Sequence, residues 1–236
     1  MADLTLDIDK VAGTIDLLRR RVQERFPDSG LARVCGELDR IAEQTRERAA
    51  WIAKPILGLR IASGALVALI LAGLAVTLAS LRAPSEGFNL IAFIQVLESG
   101  INDVVLIGAA VFFLVTIETR IKRGRALAAI RELRALAHII DMHQLTKDPE
   151  WLSARGEGSL LLPPRRMTRF ELSRYLDYCT EALSLTAKLA ALYIQGFDDA
   201  VALAAVDEIE SLTNGLSRKI WQKLMILHAL ERETPA

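Results

Sequence analysis

The chain has 236 residues, 52% of them hydrophobic, with 29 basic and 29 acidic side chains and no formal net charge. It is too apolar and too poor in Pro and Gly for a disordered or collagenous chain, it lacks the basic excess of a nucleic-acid binder, and two cysteines are too few for a disulfide scaffold. A charged fraction of 25% beside that hydrophobicity implies segregation, with some segments suited to lipid and others to water.

The N-terminus is acidic (Asp3, Asp7, Asp9) and shows no basic region followed by an apolar core, so it does not read as a signal peptide. Ile8, Val11, Ile15, Leu18 and Val22 are spaced three and four apart, which predicts an amphipathic helix. Pro27-Asp28-Ser29-Gly30 marks a turn. Leu31, Val34, Leu38, Ile41 and Thr45 then repeat the spacing, and Pro55 is placed to kink the chain before the first long apolar run.

That run, Ile61 to Leu81, is 21 residues without a charge. At about 1.5 Å per residue it covers roughly 30 Å, the hydrocarbon thickness of a bilayer. Gly64, Ala68 and Ala72 stand four apart on it and form a small-residue face for packing against a second span, where Gly108 is the counterpart. The second run is shorter. Val104 to Ile117 is uncharged, and it reaches a full crossing if Gly100 to Asn102 lie at one interface and Arg120 snorkels at the other. Phe88 to Leu97 is also apolar apart from Asn89 and Gln95, which leaves open one long tilted helix or an interfacial segment before a short span. Two crossings, about 61–81 and 101–119 with a connection over 82–100, keep the basic flanks on one side. Arg46, Arg48, Lys54 and Arg60 precede the hairpin, Arg120, Lys122, Arg123, Arg125, Arg131 and Arg134 follow it, and the connection carries only Arg82. The positive-inside rule then places both termini in the cytoplasm of a bacterial inner-membrane protein, with Cys35 and Cys179 as free thiols.

Beyond the hairpin, Ala126, Ile130, Leu133, Ala137 and Ile140 continue a helical stripe. Residues 143–167 hold two glycines and three prolines and read as irregular. Thr168 and Glu171 fit a capping box ahead of the stripe Leu172, Leu176, Cys179, Leu183, Thr186, Ala190 and Tyr193. Gly196 is placed to end that helix and Asp198 to start the last, whose stripe runs from Val206 through Leu227. The expected architecture is all-α: an N-terminal helical hairpin (1–54), a transmembrane hairpin (55–119), and helices over 120–236 that pack with the N-terminal segment as a cytoplasmic bundle.

Few residues suggest chemistry. Glu98 and Asn102 share a helical face beside Asp103, and in a ring of subunits the three would form a polar collar at a pore mouth. The plainer reading puts all three at the outer headgroup level. Arg165, Arg166 and Arg169 could meet lipid headgroups or another anion, or form a solvated basic surface. His138, Asp141 and His143 are the only histidine cluster, a weak metal candidate that also suits a helix C-terminus. Walker, dinucleotide, nucleophile-elbow and zincin motifs are absent, so neither a catalytic residue nor a cofactor is expected.

The plan of two cytoplasmic termini, a membrane hairpin and long helices is similar to that of CorA-type magnesium channels. Those carry Gly-Met-Asn after the first span, where this chain reads Leu-Arg-Ala-Pro-Ser-Glu-Gly-Phe-Asn, and the match is rejected. The hairpin and the helix after it also resemble the SLATT group of two-span bacterial effectors, which implies membrane permeabilisation; no motif carries that likeness. The reading favoured is a membrane-anchored, oligomeric scaffold that offers its bundle to a cytoplasmic protein. The alternative is a homo-oligomeric channel or pore-forming effector.

Overall fold

A computed structural model of the chain describes residues 5–80, 90–149 and 167–233, and these are helical with no strand among them. Six helices follow in order: α1 (Ile8–Arg25), α2 (Gly30–Ala53), α3 (Leu57–Ser80), α4 (Leu90–Leu145), α5 (Arg169–Ile194) and α6 (Ala200–Glu233). They divide into two compact units, one comprising Met1–Ala53 with Arg125–Ala236 and the other Lys54–Gly124. Helix α4 supplies residues to both.

Local chemistry sets the helix ends. Asp7 caps α1, its Oδ1 accepting from the amides of Asp9 (2.9 Å) and Lys10 (3.3 Å), which satisfies donors that the first turn leaves without partners. Ser29 Oγ accepts from Ala32 N at 3.0 Å and starts α2 in the same way. The capping box at α5 is complete, with Thr168 Oγ1 accepting from Glu171 N and Glu171 Oε2 from Thr168 N. Asp199, rather than Asp198, caps α6 through Val201 N and Ala202 N. Helix α5 ends at Ile194, ahead of Gly196.

In the larger unit α5 is the central helix, packing against α1, α2 and α6. Its buried residues come in neighbouring pairs every three or four positions: Tyr175 with Leu176, Tyr178 with Cys179, Ala182 with Leu183, Leu185 with Thr186, Leu189 with Ala190 and Leu192 with Tyr193. Such doublets make an apolar stripe wider than a surface helix needs, which is why other helices can cover it from several sides. On α1 the buried stripe is Val11, Ile15, Leu18 and Val22, and on the end of α4 it is Ile130, Leu133, Leu136, Ala137 and Ile140. Burying each large side chain contributes about 1.5–3 kcal/mol. The buried hydroxyls of Thr45, Thr186 and Thr213 donate to carbonyls of their own helices, so burial leaves them satisfied.

Ion pairs sit where helices meet solvent. Arg21 donates to both carboxylate oxygens of Glu181 at 2.9 and 3.0 Å, joining α1 to α5. Glu132 on α4 receives Arg40 and Arg48 from α2, and Arg134 reaches Glu208 on α6. Exposed pairs of this kind add little stability, but they select one register of helix against helix.

In the smaller unit no described residue of α3 is buried. Two stretches, Gly30–Gly73 and Gly100–Leu145, contain windows long and apolar enough to cross a membrane, and neither window is buried. Residues 90–100, assigned to the connection by the charge pattern, are the first turns of one continuous helix.

Candidate functional site

The features most suggestive of function lie in the smaller unit. Leu57, Ile61, Leu69 and Leu71 on α3 and Ile101, Leu106, Phe112 and Phe113 on α4 are all exposed, with Leu69 at 71% and Phe112 at 74%. Isolated exposed apolar residues are ordinary, but a helix apolar on every side needs an apolar environment.

This apolar surface stops at a charged clamp. Arg60 precedes the α3 run, and its guanidinium donates to both oxygens of Glu118, which follows the α4 run, at 3.1–3.3 Å. Lys122 adds a second cation to Glu118 at 3.0 Å, and the Lys122 and Glu118 side chains are largely buried. The clamp pairs the start of one apolar run with the end of the other. Twenty residues along each helix from it lie Ser80 on α3 and Glu98 on α4, each about 30 Å away, the thickness of a hydrocarbon core.

Glu98 and Asn102 are both exposed on α4. Asp103 belongs to the same helix, and its side chain lies outside the described residues. Gly64 and Gly108 stand open, since a Cβ built on either would meet no atom within 4 Å. Ala68 and Ala72 are exposed as well. Among the described residues, the small-residue face therefore makes no close packing.

Of the three arginines, Arg165 and Arg166 lie outside the described residues. Arg169 opens α5, and its Nη1 donates to Leu230 O at 3.4 Å. The histidine cluster is dispersed. His138 is exposed, Asp141 Oδ1 accepts from Gln144 Nε2 at 2.6 Å, and the His143 ring sits against Gly30 of α2. Among the described residues no three His, Cys, Asp or Glu side chains gather as a metal site.

Sequence reading missed a second polar centre at the end of α4. Lys223 of α6 extends its Nζ to the carbonyls of Gln144 (2.7 Å) and Lys147 (3.1 Å), placing a cation at the negative end of the α4 dipole. Lys147 lies over the ring of buried Tyr175 at 5.2 Å. Burial holds both lysines below the ordinary lysine range. Burial also pushes the Cys35 thiol up to about 12 and raises Cys179, so both stay protonated and are poor nucleophiles. No periodicity announces this centre, because its residues are brought together from α2, α4, α5 and α6.

A groove of about 540 Å³ opens on the larger unit between α1, α5 and α6, with Arg174, Glu181, Lys188 and Trp221 among its lining residues. Trp221 is 63% exposed. No family model, curated protein or solved structure matches the chain.

Proposed function

We propose that the protein is a membrane-anchored scaffold. In this reading α3 and the first part of α4 form a transmembrane hairpin, both termini are cytoplasmic, and the larger unit is an oligomeric interaction module whose groove beside Trp221 receives a protein partner. The observation that carries the proposal is the unburied apolar surface of Lys54–Gly124, which ends at the Arg60–Glu118–Lys122 clamp. At about 25 cal/mol per Å², leaving that surface in water is costly, whereas a bilayer accepts it. Topology reporters test it. An alkaline phosphatase fused at the C-terminus should be inactive, one fused within 82–89 should be active, and the chain should resist alkaline extraction from membranes. Release by carbonate, or an active C-terminal fusion, would refute the anchor or its orientation.

A second reading, a homo-oligomeric channel, is favoured by one observation: Glu98 and Asn102 share a helical face and are both exposed in the single chain. It requires an oligomer with an axial path. Currents from the reconstituted chain that lose cation selectivity in Glu98→Gln would support it, and a closed, non-conducting particle would end it.

A further inference from the structure

Trp51 and Arg125 form a pair within the larger unit that none of the preceding readings uses. The Arg125 guanidinium lies 4.1 Å from the centroid of the Trp51 ring, and its Nη1 donates to the Trp51 carbonyl at 3.0 Å. Trp51 is 52% exposed. No carboxylate pairs with Arg125 among the described residues. A guanidinium held over an indole and hydrogen-bonded to the same residue's carbonyl has already lost part of its rotamer freedom, so binding an oxyanion through its remaining N–H donors costs less ordering than it would cost a free lysine. The chain around the pair strengthens the bias. From Arg48 to Ser85 there is no acidic residue, and between Glu118 and Glu132 there are five cations and no acid. Along α4, Arg125 lies six residues beyond the expected end of the second span at 119, about 9 Å of helix, which puts a long side chain within reach of headgroup phosphates. Exposed tryptophan is itself enriched at that depth.

We infer that Trp51 and Arg125 form a site for the phosphate headgroup of an anionic phospholipid in the leaflet at the base of the hairpin. The inference rests on the membrane anchoring proposed above and names the lipid class the anchor selects. The indole and the guanidinium are the recognition elements, and the neighbouring cations raise the local concentration of anionic lipid.

The test uses the full chain with Trp151→Phe and Trp221→Phe, so that Trp51 is the single fluorophore. It is reconstituted into phosphatidylcholine vesicles containing equal fractions of either brominated phosphatidylglycerol or brominated phosphatidylcholine. The anionic quencher should be more effective by roughly threefold, and Arg125→Gln should bring the ratio to one, with helicity checked by circular dichroism. Arg125→Lys, which keeps the charge and loses the planar stack, should retain only part of the preference. Equal quenching by both lipids overturns the site and leaves the anchor standing. A preference that survives Arg125→Gln also overturns the site, assigning selectivity to the basic flanks at large. No quenching by either lipid overturns the site, because Trp51 then lies away from lipid, while the anchor stands or falls on carbonate extraction.

Discussion

Gly30 and His143 show how one contact can decide the choice of a residue. A Cβ on Gly30 would lie 2.0 Å from His143 Cε1 and within 2.7 Å of both ring nitrogens. Glycine at a helix start is ordinarily replaceable by alanine at a gain of up to about 1 kcal/mol. Here Gly30→Ala should instead destabilise the bundle by about 1 kcal/mol, and His143→Ala in the same chain should remove most of that cost in a thermal-unfolding cycle. The same imidazole gives a pH signature. Burial, with Arg33 and Lys147 nearby, holds His143 below the ordinary histidine value. A depressed folded value means that the unfolded chain takes the proton first. The contribution of His143 is therefore complete above about pH 6.5 and is lost as pH falls through the lower folded value. Melting temperature should decline from pH 7 to pH 5, and His143→Asn should flatten that decline. The thiols give a kinetic check: maleimide should label Cys35 and Cys179 slowly in the native chain and fully on denaturation, because both are buried and held protonated.

Helix ends and helix pairs carry the next set of effects. The capping box at Thr168 and Glu171 follows from nearest-neighbour chemistry, which is why residue spacing alone announces it. Thr168→Ala should cost about 1 kcal/mol and fray the first turn of α5. The Arg60–Glu118–Lys122 clamp is different: Glu118 and Lys122 are an ordinary i,i+4 pair, but the arm from Arg60 joins residues 58 apart in sequence and nothing local signals it. Replacing Glu118 leaves two cations facing each other, while replacing Arg60 leaves the Lys122 pair intact. Glu118→Gln should therefore lower the melting temperature in detergent more than Arg60→Gln does. The one-residue shift from Asp198 to Asp199 at the start of α6 has a similar origin. Two adjacent aspartates satisfy the capping pattern equally, and the buried seat of Ala202 decides between them.

Across the two units, the distribution of apolar surface argues for two solvents. The larger unit covers its stripes with one another, and the smaller leaves its apolar residues open. A charge in the middle of α3 should therefore act on membrane insertion. Leu69→Arg should penalise insertion by about 3 kcal/mol, read as a shift of the chain from the membrane to the soluble or degraded fraction. Leu38→Ala, at a fully buried site on α2, should instead destabilise the bundle by about 2–5 kcal/mol and leave membrane partition unchanged.

Periodicity was enough to predict the all-helical character, the buried stripes of α1, α2 and α6, and the apolar runs, because those depend on a spacing of three to four residues and on length. Spacing could not reveal that Leu90 to Ile117 falls within a helix that continues unbroken to Leu145, since Glu98, Asn102 and Asp103 read equally as a helix interior or a helix end. Nor could it separate His143 from His138: one meets a glycine on α2, the other meets solvent, and the two look alike in sequence. The Lys223 cap on α4, the Trp51–Arg125 stack and the Glu118 clamp are long-range contacts. Sequence patterns record which face of a helix is apolar. Which faces meet, and which polar groups are thereby desolvated together, follows from packing residues that are distant along the chain.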